Sequence, residues 1–182
     1  MVARYKLLHV ISFPISSAYE RSRLALCNRA SPHPSTYVEA ALKIINRLVY
    51  LRKWRIVREI LALYCIEIPA TVKIGNNFEL IHRGFGTVIH PNTTIGNNVK
   101  IFHGVTIGRA DAYTHGSRSM MKSIVIGDDA VICPGAVILG GPGVTSVGKG
   151  TVIAANAVLT VSTGEHEIWG GIPARKLSNR RS

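Results

Sequence analysis

The sequence predicts a mainly β protein: a parallel β coil of short straight segments joined at tight corners, preceded by an α-helical N-terminal segment. Three observations predict it. An aliphatic residue returns every sixth position in four separate blocks, a glycine repeatedly follows it in phase, and before residue 66 the apolar spacing is helical instead. These divide the chain into a helical segment, 1–65, a coil, 66–163, and a tail, 164–182.

In the first segment, "MVARYKLLHVISFPISSAYE" has a basic start and a short apolar run, the outline of a signal peptide. His9 and Pro14 interrupt that run, so a first helix ending near Pro14 is the preferred reading. "NRASPHPS" (28–35) reads as a loop. Between Val38 and Tyr64, Ile45, Val49, Ile56, Ile60 and Leu63 fall along one helical face, with Lys43, Arg47, Arg55 and Arg58 opposite.

In the coil, Ile68, Ile74 and Leu80 are six apart, as are Ile89, Ile95, Ile101 and Ile107, then Ile126, Ile132 and Ile138, then Val147, Ile153 and Leu159. Neither a helix nor a meander has this period. A triangular turn of three segments does, with the aliphatic pointing inward and each turn burying its apolar face on the next. Small or branched residues three positions on (Val72, Thr93, Val99, Val105, Ala130, Ala136, Thr151, Ala157) fill the same interior. Glycine and asparagine (Asn76, Asn77, Asn97, Asn98) suit the corners. The beat breaks at "ELIHRGFGTVIHPNTTIG" (79–96), at "RADAYTHGSRSMMKS" (109–123) and at "GGPGVTS".

Composition bounds the function. The 182 residues are 47% hydrophobic and 18% charged, a globular balance. No apolar run reaches the roughly 18–20 residues of a membrane span. Cys27, Cys65 and Cys133 form neither a zinc pattern nor a paired framework, so reduced thiols, a cytoplasmic setting and no metal are expected. The net charge of +12 is uneven: residues 1–65 carry 11 Lys/Arg against 3 Asp/Glu, residues 66–182 carry 11 against 7. Such a segment favours an anionic partner. No nucleic-acid module or stacking aromatic set accompanies it; a membrane surface, an acidic glycan or a phosphorylated cofactor stay open. The preferred reading packs the apolar stripe on its own domain with the arginines in water, peripheral membrane contact through the basic helices being the alternative.

The coil resembles the left-handed parallel β-helix (hexapeptide-repeat) acyltransferases. "IEIPATVKIGNNFELIHRGFGTVIHPNTTIGNNVKIFHGVTIG" is similar to their serine acetyltransferase-like branch, and "GGIPARKL" resembles the closing Gly-x-Pro-Ala-Arg motif. The resemblance covers residues 66–177. It implies a left-handed parallel β-helix with an N-terminal α-helical segment, a homotrimer, and acetyl-CoA as a co-substrate with no tightly bound cofactor. The reaction it implies is acetyl transfer to a hydroxyl-bearing acceptor.

Such a transfer needs a base, oxyanion donors and a slot for coenzyme A. His82 stands where the resembling proteins place their base, and a histidine suits that role near neutral pH. Glu67, fifteen residues earlier, is expected to stack one turn beneath it and steady the ring; a capping carboxylate at the helix-to-coil junction is the alternative. His115 and Arg118, in the 109–123 loop, match a family loop that reaches a neighbouring subunit's site. His103 is expected to line the cleft. His9, His33, His90 and His166 read as surface residues. For coenzyme A, Ala154, Ala155 and Ala157 would let the pantetheine arm approach, and Gly108 is a further cofactor-binding candidate. Gly171, Ile172, Pro173 and Ala174 would wrap the adenine, with Arg175 and Lys176 at the phosphates. Serine acetyltransferases carry an acidic residue directly before the catalytic histidine; here that position is Ile81. An ammonium would lose its counter-charge, so a sugar hydroxyl is the expected acceptor and free serine the alternative. A catalytically silent β-helix serving as an interaction module is the competing reading.

Overall fold

The computed structural model describes residues 34–180. Expectations that fall on His9, Pro14, Cys27, His33 and the loop over 28–33 lie outside the described residues. The last two residues of that expected loop, Pro34 and Ser35, are corrected to the first turn of a helix. Val38–Ser182 forms one compact unit.

Helix α1 spans Pro34–Tyr50 and α2 spans Arg55–Ala62. Ile45 and Val49 are buried as the spacing predicted, but the expected single stripe is corrected beyond them. Ile56 is 69% exposed and Leu63 79%, while Val57 and Leu61 are buried instead. A turn at residues 51–54 separates the helices, which shifts the phase of the second relative to the first. Arg52, in that turn, is 6% exposed. Its guanidinium donates to the Val49 carbonyl at 2.8 Å and to the Val72 carbonyl. Burial lowers its pKa, with Tyr50 opposing. It thereby plugs the helical end of the coil.

The coil has three faces, each a stack of parallel strands. Face one stacks β1 (Lys73–Ile74), β4 (Thr93–Ile95), β7 (Met121–Ile126) and β10 (Gly143–Val147). Face two stacks β2 (Glu79–Leu80), β5 (Lys100–Ile101), β8 (Val131–Ile132) and β11 (Val152–Ile153), and ends in the antiparallel hairpin β13 (Glu167–Gly171) and β14 (Ala174–Asn179). Face three stacks β3 (Val88–Ile89), β6 (Thr106–Arg109), β9 (Val137–Gly140) and β12 (Val158–Leu159).

The register places the predicted aliphatics over one another: Ile74, Ile95, Ile126, Val147 on face one; Leu80, Ile101, Ile132, Ile153 on face two; Ile89, Ile107, Ile138, Leu159 on face three. All but Ile74 are buried. Each fully buried isoleucine contributes about 1.5–3 kcal/mol, so the stack supplies the coil's stability. The small positions are buried too, from Val72 through Ala157. At one corner Asn77, Asn98 and Asp129 take left-handed φ of 54°, 56° and 58°. Their side chains bond turn to turn, Asn77 Nδ2 to Asn98 Oδ1 and Asn98 Nδ2 to Asp129 Oδ1, both at 3.0 Å.

Because β2 is the outermost strand of face two, its outer amides have no strand to pair with. Helix α1 supplies the partners. Asn46 Oδ1 accepts from the Leu80 amide at 2.8 Å, and the Tyr50 hydroxyl accepts from the Phe78 amide at 3.0 Å. Among the described residues, no helix is long and apolar enough to cross a membrane.

Candidate active site

The first break in the beat is a bulge at the corner where β2 ends and β3 begins. His82 and Arg83 adopt φ of 53° and 63°, and Gly84 and Gly86 follow with 61° and 72°. Such a left-handed run costs most residues energy and glycine none. Gly84 is needed there for a second reason: a Cβ would lie 2.8 Å from the Leu80 side chain, over which the bulge folds. The Thr87 amide donates to the Gly84 carbonyl at 3.0 Å and closes the loop. Phe85 packs edge-on against Tyr64, ring centres 6.2 Å apart, and its carbonyl accepts from the Gly104 amide at 2.7 Å. The bulge thus resumes the coil in phase at Ile89 and leaves His82 exposed.

One turn further along the coil stands His103, its ring centre 5.4 Å from that of His82 at an interplanar angle of 74°. Phe102 lies 5.8 Å from the His82 ring. Neither imidazole makes a hydrogen bond among the described residues. The face-two register continues past the strand ends, so Ile81, Phe102, Cys133 and Ala154 succeed one another along this edge. Beside them run His82, His103, Pro134 and Ala155, and the edge finishes at Gly170 and Gly171 of the hairpin. The predicted base and the predicted pantetheine and tail residues therefore share one edge. Burial pushes the Cys133 thiol pKa up, which keeps it a neutral lining group and not a thiolate.

The expected stacking of Glu67 beneath His82 is corrected. Glu67 bridges to Val88, 21 residues on; its amide donates to the Thr87 carbonyl, and its carbonyl accepts from the Ile89 amide, both at 2.9 Å. The bulge lengthens that turn, so fifteen residues do not close it. The Glu67 side chain is exposed and lines a cavity of about 740 Å³ with Glu59, Arg58, Cys65 and Val88. Gly108 belongs to face three, paired with Leu139, and is on another edge.

His115 and Arg118 are exposed in the loop between β6 and β7, which joins face three to face one. His82 lies where face two joins face three, so within one chain the loop and the bulge occupy different edges. The loop is folded on itself. Arg109 donates to the Thr114 carbonyl at 3.1 Å and pairs with Asp111 at 3.8 Å, and His115 Nδ1 lies 2.9 Å from Ser117 Oγ. At its base is His90, half-buried where a surface residue was expected. Burial and the Arg109 guanidinium lower its pKa, with Asp111 opposing.

In the tail, Ala174 is buried while Gly171, Ile172, Pro173 and Arg175 are exposed. Lys176 is corrected: its Nζ is 2.6 Å from Glu167 Oε1, an ion pair that engages it away from a phosphate. The Lys176 ammonium and the Trp169 indole N–H hold the Glu167 carboxyl below the usual carboxylate range.

Known proteins share this coil. No family profile matches the chain. A curated serine acetyltransferase of Bacillus pumilus is 37% identical over 110 residues, 60% of this chain and 46% of that one. The structure of Vibrio cholerae serine acetyltransferase matches over 78% of this chain and 54% of its own, with a TM-score of 0.57 at 28% identity. A serine acetyltransferase complex with CoA matches over 75% of this chain and 55% of its own, with a TM-score of 0.53 at 29% identity. The chain carries a left-handed hexapeptide-repeat β-helix similar to that of these serine acetyltransferases. It spans about half the length of the curated relatives it matches.

Sequence reasoning missed several residues that build this edge. Asn46 and Tyr50 pin the strand that delivers His82, but nothing local distinguishes them from other polar positions on α1. Phe102 and Phe85 wall the bulge. Their position beside a break in an otherwise aliphatic beat was the available signal.

Proposed function

We propose that the protein is an acetyl-CoA-dependent O-acetyltransferase of the cytoplasm, with His82 as general base. The observation that carries this is the edge on which exposed His82 continues through His103 and Ala154–Ala155 to the tail hairpin. His82 takes the acceptor hydroxyl proton as the oxygen attacks the thioester carbonyl, and returns it to the departing thiolate. Glu67, lining the cavity beside Val88, acts on the acceptor and not on the base; Arg175, exposed and with no carboxylate partner among the described residues, meets phosphate. His115 and Arg118 act from a neighbouring copy, since loop and bulge occupy different edges of one prism. The assembly we propose is the homotrimer.

The named relatives support serine as acceptor, which moves it ahead of the sugar expected from the sequence. Ile81 favours the second reading, a neutral sugar hydroxyl. A site without a counter-charge loses on the order of 1–3 kcal/mol of binding to an ammonium. The test is thiol release from acetyl-CoA by the full chain with serine, then with a panel of sugars. Serine turnover supports the first reading, turnover of a sugar alone the second. Failure to bind coenzyme A by calorimetry overturns the proposal in favour of a silent β-helix.

A further inference from the structure

We propose that His103 is a catalytic residue, the hydrogen-bond donor to the thioester carbonyl as it becomes an oxyanion. This rests on the acetyltransferase reading above, with either acceptor. His82, in the bulge, and His103, one coil turn on, are neighbours along the coil: their ring centres are 5.4 Å apart, close to a strand spacing of about 4.8 Å. A donor running from the tail along Ala155 and Pro134 meets His103 before it meets His82. The acceptor oxygen, activated at His82, therefore approaches a carbonyl lying at the level of His103.

Four main-chain amides beside that carbonyl are committed elsewhere, while those of His103 and Ala155 have no partner among the described residues. The Phe102 amide donates to Ile132 at 2.9 Å, Gly104 to Phe85 at 2.7 Å, Cys133 to Ile153 at 2.9 Å and Gly135 to His103 at 3.1 Å. These bonds hold adjacent turns together and cannot turn outward without opening the coil. His103 is exposed, its ring is without a hydrogen bond among the described residues, and it is already in edge-to-face contact with His82. A neutral imidazole presents one N–H, suited to an oxygen that gains charge only in the transition state.

The step balances. The acceptor O–H proton passes to His82 as the C–O bond forms, and the carbonyl electron pair moves to the oxygen held by His103. On collapse the C–S bond breaks and the thiolate takes the proton from His82. His103 lends a hydrogen bond and loses no proton. His115 and Arg118 are thereby left to the acceptor.

The test compares the full chain with His103→Ala and His103→Gln, using thiol release, calorimetric binding of coenzyme A and thermal melting. His103→Ala is expected to lower kcat about 100-fold, the loss typical of one oxyanion donor, with KM for acetyl-CoA within about 3-fold. His103→Gln, which keeps an N–H donor, is expected to recover at least a tenth of wild-type kcat, with the pH–rate limb set by His82 unmoved. A kcat of His103→Ala within 3-fold of wild type overturns the inference, as does a folded His103→Gln no faster than His103→Ala. If the wild type transfers to no acceptor, the function fails separately. The inference is then read from the imidazole resonances: His103 must shift further on adding acetyl-CoA than on adding coenzyme A, and equal shifts overturn it.

Discussion

Replacing His82 by asparagine separates chemistry from backbone. The residue sits at φ 53° and ψ 40°, a left-handed conformation that costs most side chains about 1–2 kcal/mol and that asparagine adopts readily. Its ring is exposed, so the substitution removes only its packing against Phe102 and His103, worth about 0.5–1.5 kcal/mol for an aromatic pair. His82→Asn should therefore lose no more than about 1.5 kcal/mol of stability. His82→Ala should lose about 1 kcal/mol more, because alanine lacks asparagine's tolerance of that conformation. Activity should respond on another scale. Removing a general base lowers kcat by roughly 100- to 10,000-fold, about 3–5 kcal/mol of transition-state stabilisation. The assays are thiol release from acetyl-CoA and urea denaturation of the same preparations. A His82→Asn protein retaining more than a tenth of wild-type kcat would refute the assignment of the base. Equal stability of the two variants would refute the account of the bulge.

Two further perturbations probe the rest of the edge. The depressed Glu167 carboxyl contributes stability that is present above its unfolded pKa, about 4.3, and lost as pH falls through the lower folded value. Acid titration in a Trp54→Phe background should show Trp169 fluorescence changing below about pH 4, and Glu167→Gln should abolish that step; its persistence would show another group responsible. At Gly135 an added Cβ would lie 2.3 Å from Asn156 Oδ1, at a φ of 67°. Gly135→Ala should cost about 1–2 kcal/mol from the backbone alone and weaken coenzyme A binding at least tenfold by calorimetry, and Asn156→Ser should restore only part of the stability. An unchanged melting temperature in the single variant would contradict this.

The coil was legible because its period is itself the packing rule. Ile101 must meet Ile132, and a residue displaced by one position would point outward; the register followed from the aliphatics and their corner glycines. The site was legible only where it breaks that rule. His82 could be singled out because the beat slips there and resumes at Ile89. His90 and Lys176 carry no such mark, and each was misread, one as a surface residue and the other as a phosphate contact. Both environments are made by residues distant in sequence or across a hairpin: Arg109 and Asp111 for His90, Glu167 for Lys176.

The sequence by itself determined the triangular coil, its inward residues and the bulge that exposes His82, since all three are written in local spacing. Only the tertiary structure decided which side chains the bulge faces. It set His103 against His82 and moved Glu67 beneath Val88. It also gave Asn46 and Tyr50 of α1 the task of holding the outermost strand. The physical reason is that an inserted residue shifts what lies above and below without altering the repeat that resumes after it. Stacking partners are thus fixed by the length of a whole turn and not by the count along the chain.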